Sequence, residues 1–352
     1  MPEPRRQNPR FLIGPFVLIA AVIAFAVAAF ALTAGWFSPD RLTPQKLVDA
    51  FGPPPGAPLG HRRNHAKGIC FTGVFEANGA GSELSRAQVL AKGSYPVIGR
   101  FNIGTPDPNA DDAKVRVRGI GVMISTPDGQ QWRMAMIDPP FFPVSNPDGF
   151  YALLRASASK DPNAMAELLK VHPEIANFDA WAKSAPWTGS YAEEPYNSLN
   201  AFIFTDGSGG DHAVRWSLVP ATRPVSVPPE ELAKRGPNFI EDEIVQRIKS
   251  GPLRWRMVVT VANPDDQTAD PAKAWPDDRR KVEVGTLIVR EIEPEADGPC
   301  RDINFDPTIL PDGMRVSDDP FPAARSSAYR VSFDRRTAEA KDYPRTATGA
   351  SQ

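Results

Sequence analysis

Arg325 and Tyr329 lie four residues apart in Arg325-Ser326-Ser327-Ala328-Tyr329, a spacing that puts both on one helix face, with the guanidinium in reach of the phenolic oxygen. A structural Arg–Tyr pair is the common outcome of this spacing. The chemical alternative is sharper. A phenol has a pKa of about 10, so tyrosinate at neutral pH needs strong cationic support. A ferric iron and a donor arginine on the same oxygen provide it. Upstream lies Phe305-Asp306-Pro307-Thr308-Ile309-Leu310-Pro311. Two further stretches hold reactive side chains: His61-Arg62-Arg63-Asn64-His65-Ala66-Lys67-Gly68, and Pro96-Val97-Ile98-Gly99-Arg100-Phe101 with Arg118-Gly119 and Pro139-Pro140-Phe141-Phe142 behind it. Singly, each is ordinary. His65 is one of four histidines, and a lone histidine is more often a surface or core residue than a catalyst.

These residues need elements to position them. Thr43 and Pro44 read as the N-cap and first residue of a short helix to Phe51. Gly52-Pro53-Pro54-Pro55-Gly56 ends it and predicts an extended arm. Strands are predicted at 69–75, 97–103, 120–125, 199–205, 213–219, 253–261 and 282–289, punctuated by Gly, Pro and Asp. In 253–261, Leu253, Trp255, Met257, Val259 and Val261 alternate with Arg254, Arg256 and Thr260, the pattern of a half-buried strand. Helices are predicted at 147–156, 162–171, 239–249 and 320–337, and a loose polar tail over 338–352. The 38 prolines fix many φ angles and favour a loop-rich fold over a helix bundle. Strands in the middle, helices inserted among them and a helix at the end predict an α+β fold with a β-barrel core and helical additions.

The first 37 residues stand apart. Arg5, Arg6 and Arg10 precede an uncharged apolar run over 11–37, long enough to cross a bilayer with its N-terminal side in the cytoplasm. A cleaved signal peptide is the rival reading. The run exceeds the usual signal core, and Trp36 and Phe37 suit an interfacial belt. A single-pass anchor in the lipid bilayer is therefore expected, with the rest of the chain exported to a periplasmic or other extracytoplasmic space. The expected division is 1–10 cytoplasmic, 11–37 transmembrane, 38–60 linker and arm, 61–340 functional domain and 341–352 flexible tail. A net charge of -2 lacks the basic excess that a nucleic-acid partner needs. Cys70 and Cys300 are the only cysteines. Export permits a disulfide between them, and two free buried thiols are the equal alternative, because spacing carries no geometry.

In chain order, His-Ala-Lys-Gly (65–68), Pro-Val-x-x-Arg-Phe (96–101), Arg-Gly (118–119), Pro-x-Phe-Phe (139–142), Phe-Asp-Pro-x-x-Leu-Pro (305–311) and Arg-x-x-x-Tyr (325–329) resemble the catalase family. Asp270-x-x-x-x-Trp275-Pro276 and Val284-Gly285-x-Leu287 between them are family-like too. The resemblance runs from about Arg62 to Arg336. It is nearest to the short catalase-related haem peroxidases, which lack the C-terminal domain of large catalases and often carry an export signal. It implies heme b with Tyr329 as iron ligand and Arg325 hydrogen-bonded to the phenolic oxygen. Arg62, Arg100 and Arg336 match the arginines that bind haem propionates through charge-assisted bonds. Arg336 comes seven residues after Tyr329, about two helical turns on, so a continuous helix serves both. Phe150 matches a haem-packing phenylalanine once a one-residue insertion is allowed. His65 matches the distal histidine, which takes a proton from peroxide and returns it to the leaving oxygen.

The distal half departs from the family pattern. Met136 stands where catalases place a hydrogen-bonding asparagine, with Ile137 next, and neither donates a hydrogen bond. Arg116 stands at the position of the channel aspartate, and Asn102 replaces a serine that orients the distal histidine. The expected activity is reduction of hydrogen peroxide or organic hydroperoxides by an external donor, a small molecule or a redox protein, with weak disproportionation of hydrogen peroxide. A hydroperoxide-rearranging enzyme of the same fold is one alternative. A non-catalytic, membrane-tethered haem-binding protein is the other, and His65 argues against it, since storage needs no proton carrier.

Overall fold

The computed structural model describes residues 10–38, 41–52, 56 and 58–345, without the side chains of 10–13. Contacts divide the chain into two units, Met1–Thr43 and Pro44–Gln352. In the first, α1 spans Arg10–Thr33, and its Gly14–Thr33 stretch is long and apolar enough to cross a membrane. Phe16, Leu18, Phe25 and Phe30 lie exposed on it, unlike the buried stripe of a core helix. The helix ends before the apolar run does. Gly35 adopts a positive φ of 71° and turns the chain, and Trp36 folds back on Phe30 with ring centroids 5.9 Å apart.

Among its described residues the second unit contains ten strands: β1 Gly68–Ala77, β2 Gly93–Ile103, β3 Arg118–Ser125, β4 Gln131–Ile137, β5 Tyr196–Asn197, β6 Phe202–Thr205, β7 Asp211–Pro220, β8 Leu253–Val261, β9 Lys281–Pro294 and β10 Met314–Val316. Its helices are α2 Pro44–Asp49, α3 Pro147–Ser157, α4 Ala164–Val171, α5 Ile175–Ser184, α6 Pro229–Leu232, α7 Phe239–Arg247 and α8 Phe321–Ala338. The sheet order is β10-β6-β7-β5-β4-β3-β2-β1-β9-β8, and β8 pairs back onto β7. Eight antiparallel strands thus close a barrel, with β6 and β10 as an extension on β7. Closure leaves the barrel strands no free edge.

Alternation decides which side chains fill the barrel. Val97, Phe101 and Ile103 of β2, Ile120, Val122 and Ile124 of β3, and Trp132, Met134 and Met136 of β4 share one core with Tyr196 and Trp255. Phe101 sits among the rings of Phe71, Tyr191, Trp255 and Tyr196 at 4.7, 5.2, 5.6 and 6.3 Å. Truncating such a ring to alanine costs about 3–5 kcal/mol. The next positions along β2, Arg100 and Asn102, consequently point away from this core.

Strand β4 and helix α5 are not anticipated by periodicity. In β4 the alternate positions Ala135 and Ile137 are apolar too, because they line a cavity, and this hides the alternation. The strand expected from 199 begins only at Phe202, since Leu199 adopts a positive φ of 63°. Part of the expected linker is folded: α2 buries Leu47 and Val48, and Asp49 pairs with Arg335 of α8 at 2.5 Å. Residues 53–55 of the proline arm lie outside the described residues. The tail expected from 341 is packed as far as Arg345. Tyr343 stacks on His61 at 4.1 Å, its carbonyl accepts from Arg301, and Arg345 donates to the Asp297 carbonyl at 2.9 Å. Residues 346–352 lie outside the described residues.

Cys70 of β1 and Cys300 form a disulfide across 230 residues, with Cα atoms 5.4 Å apart. Gly298 makes room for it, as a Cβ there would lie 2.6 Å from the Cys70 sulfur. The bridge ties the segment 295–303 to the barrel. Denatured, unreduced protein is expected to show no reactive thiol in a thiol-titration assay. Cys300→Ser is expected to lower the unfolding free energy by about 2–4 kcal/mol, read by denaturant titration. Two reactive thiols per unreduced chain would exclude the bridge.

Candidate active site

One face of α8 lines a cavity of about 200 Å³. Phe321, Arg325, Ala328, Tyr329, Ser332 and Arg336 point into it, at the three- and four-residue spacing of a helix stripe. Arg330 and Asp334 on the other face are 82% and 64% exposed. Because the helix runs unbroken to Ala338, Tyr329 and Arg336 reach the same space.

Arg325 Nη2 donates to the Tyr329 hydroxyl at 3.0 Å and to the Ala135 carbonyl at 2.6 Å. Its Nη1 donates to Asn200 Oδ1 at 2.7 Å, and Asn200 Nδ2 donates to Asp319 Oδ2 at 2.8 Å. The other Asp319 oxygen accepts from the Phe321 amide at 2.8 Å, anchoring the chain of bonds at the start of α8. Burial pushes the Asp319 carboxyl up, against the pull of Asn200 and that amide. Sequence reasoning did not find Asn200 or Asp319. Asn200 is 125 residues from Arg325, so no local spacing announces it. It is set in place by Leu199, whose left-handed backbone is strained for a residue with a branched side chain.

His65 enters from the segment before β1. Its backbone is also left-handed, with φ of 54°, and its ring lines the cavity. Nδ1 is sealed from solvent without a partner, as is Asn102 Oδ1. Burial, with Arg100 next, holds the imidazole down to about 4, while Asn102 acts the other way. At neutral pH the ring is therefore uncharged and able to accept a proton. Met136 lines the same cavity and is 2% exposed, so β4 presents a thioether here and no donor. Phe150 joins an aromatic wall with Phe142, Phe51 and Phe321 at 5.1, 5.8 and 6.4 Å. Arg116 is not among the lining residues. It pairs with Asp138 at 2.9 Å and lies over the Trp181 and Trp187 rings at 4.2 and 5.4 Å. Burial first, and Glu194 next, raise the Asp138 carboxyl to about 7.

Arg62, Arg100 and Arg336 come together around one carboxylate that sequence reasoning missed, Glu295. Arg100 grips it at 2.7 and 2.6 Å, and Arg62 Nε lies 3.7 Å away. Arg62 donates to the carbonyls of Cys300 and Ile303 at 3.1 and 3.2 Å. Arg336 donates to those of Arg301 and Ile303. Gly68 of the His-Ala-Lys-Gly motif leaves room for this, since a Cβ there would lie 2.7 Å from Arg100 Cζ. Burial lowers the Arg336 guanidinium to about 10 and Arg62 well below its ordinary value, with Glu295 opposing both. Burial raises Glu295, but Arg100 and Arg62 outweigh it and hold the carboxyl low.

Three guanidinium groups share one buried carboxylate here, and the exposed Asp302 adds only a smaller pull on Arg62 and Arg336, so positive charge is in excess beside the cavity and anions are favoured there. A planar apolar group with two carboxylates and an iron that accepts a phenolate fits this donor set. Haem is such a group. Tyr329→Phe is expected to abolish haem retention or alter the charge-transfer bands in the absorption spectrum; an unchanged spectrum would exclude Tyr329 as ligand. Asn200→Ala strands one Arg325 donor and the Asp319 carboxylate. It is expected to lower stability by about 1–3 kcal/mol in thermal or denaturant unfolding.

The catalase family model matches residues 57–343. A catalase-related peroxidase of Synechococcus elongatus is 31% identical over 328 residues, which cover 92% of this chain and 97% of that protein. A catalase-related peroxidase of Mycolicibacterium paratuberculosis is 32% identical over 299 residues, 84% of this chain and 95% of its own. Among solved structures, catalase A from Saccharomyces cerevisiae superposes over 78% of this chain with a TM-score of 0.70 at 17% identity, and a fungal catalase over 78% with 0.70 at 16%. The chain spans 61% and 59% of those longer proteins, a likeness of fold. With nearly the whole second unit inside the family match and full-length relatives at this identity, the chain belongs to the catalase family.

Proposed function

We propose that this protein is a haem b-dependent peroxidase that reduces hydrogen peroxide or organic hydroperoxides with an external electron donor and disproportionates hydrogen peroxide only weakly. Family membership supports a peroxide-acting oxidoreductase. The observation that carries the finer reading is the joint placement on one cavity of an uncharged His65, the Arg325–Tyr329 pair and the apolar Met136.

Tyr329 would ligate the iron, with Arg325 donating to the phenolic oxygen and so favouring its ionised form. Arg62 and Arg336 would bind the propionates, with Arg100 behind them, and Phe150 would pack on the macrocycle. Haem, when bound, supplies the redox chemistry that cleaves the O–O bond. His65 manages the proton. With Nδ1 sealed beside Asn102 Oδ1, the tautomer that fits carries its proton on Nδ1 and leaves Nε2 to act as base. Nε2 takes the proton from the nearer peroxide oxygen and returns it to the farther one, which leaves as water or, from an organic hydroperoxide, as an alcohol. Disproportionation needs a second peroxide oriented as reductant. Met136 gives it no hydrogen bond, whereas an organic donor delivering electrons has no such need.

Wild-type protein is expected to oxidise small phenols clearly and evolve little oxygen. Losing one preorganised donor is worth about 10²–10³ in rate. Met136→Asn is therefore expected to raise oxygen evolution more than phenol oxidation, and His65→Ala to suppress both. Oxygen evolution by the wild type at the rate of a large catalase would defeat the reading. Only the neutral ring accepts a proton, so the acid limb of the rate is expected near pH 4 rather than near 6.5. The apolar helix and its flanking arginines support an uncleaved single-pass anchor with the haem domain outside the cytoplasm. A C-terminal alkaline phosphatase fusion is expected to be active; an inactive one would put the domain inside.

A further inference from the structure

Glu295 belongs to none of the motifs on which the family resemblance rests, and the proton transfer above does not use it. It follows β9 directly and is buried, 9% exposed. Its two oxygens take Arg100 Nε and Nη2 at 2.7 and 2.6 Å. The same guanidinium donates from Nη1 to the His65 carbonyl at 2.9 Å and from Nη2 to the Ala66 carbonyl at 3.1 Å. Four of its five N–H groups are thereby engaged. A guanidinium is a rigid planar fork, so fixing one edge on a carboxylate fixes where the other edge points. That other edge holds the backbone of His65, whose left-handed φ of 54° persists only where the surroundings over-determine it.

We propose that Glu295 is a positioning residue for the peroxide reaction: it locks Arg100, and Arg100 holds the strained His65 backbone so that the imidazole keeps its aim into the cavity. The inference rests on the haem-peroxidase reading and names a residue on which that reading does not depend.

The test uses full-length, haem-loaded protein and cyanide as probe. Hydrogen cyanide binds iron after giving its proton to the distal base, so its association rate reads His65 without turnover. Per bound haem, Glu295→Gln is expected to slow cyanide association about tenfold or more, as small displacements of a catalytic group do, and to move the acid limb of its pH profile. The bands that depend on Tyr329 are expected to stay as in the wild type. Glu295→Asp, which restores the charge one methylene short, is expected to recover most of the rate. A merely structural Glu295 would lower the yield of folded, haem-loaded protein yet leave rate and pH profile per haem unchanged, and that result overturns the proposal. Should Glu295→Gln fail to fold, Arg100→Lys takes its place, because one ammonium cannot serve the carboxylate and both carbonyls. The same slowing is expected, and a wild-type rate overturns the proposal. A wild-type chain without a Soret band after haem titration overturns the peroxidase reading and this role with it, and is seen before any variant is made.

Discussion

Burying a guanidinium is unfavourable unless its N–H groups find acceptors, and this fold buries Arg100 and Arg336 and partly buries Arg62 beside a single carboxylate, Glu295. Backbone carbonyls supply what Glu295 cannot. Arg62 and Arg336 share the Arg301 and Ile303 carbonyls, so the segment 295–303 must lie against both α8 and the chain before β1. The Cys70–Cys300 bridge, the missing Cβ of Gly298 and the Arg301–Tyr343 contact each hold it there. Much of the irregular chain outside the barrel is arranged by the acceptors these arginines require.

The cavity also collects backbone strain. Among the described residues, His65 and Leu199 are the non-glycine residues with positive φ, and both line it. Each such residue costs about 1–3 kcal/mol, which the surrounding structure must offset. Phe101 anchors β2 in the core, and the neighbouring Arg100 holds the His65 carbonyl. Leu199 turns the chain so that Asn200 bridges Arg325 and Asp319. One distortion lies at His65, the proposed proton carrier, and the other sets Asn200 against the arginine that donates to the Tyr329 hydroxyl.

The two halves of the cavity differ in polarity for a reason visible in the strands. The Tyr329 side carries a continuous run of hydrogen bonds from Asp319 to the phenol. On the His65 side, β4 is paired with β3 so that Met136 faces Ile120 and Ala135 faces Gly121, and none of these side chains can donate. The carboxylate nearest the Arg116 position is Asp138, already paired with that arginine. Arg116 and Asp138 are thus engaged with each other, and neither lines the cavity.

Local chemistry and periodicity determined a good deal of this protein without coordinates. The apolar run after Arg10, the alternation in 253–261 and the Arg325–Tyr329 spacing each depend on neighbours a few residues apart. Helix and strand geometry turns such spacing directly into shared faces. The ordered motifs extended that to the family and to His65, Arg62, Arg100, Phe150 and Arg336, all of which line one cavity. Strand β4 stayed hidden because Met134, Ala135, Met136 and Ile137 form an unbroken apolar run that masks its alternation, whereas the Thr43-Pro44 start signal did announce α2. Glu295, Asn200 and the choice between a bridge and two thiols were decided only by tertiary structure. Glu295 is 195 residues from Arg100, and Cys70 is 230 from Cys300. Contacts at such separations exist only once β2, β1 and the end of β9 lie side by side in the sheet.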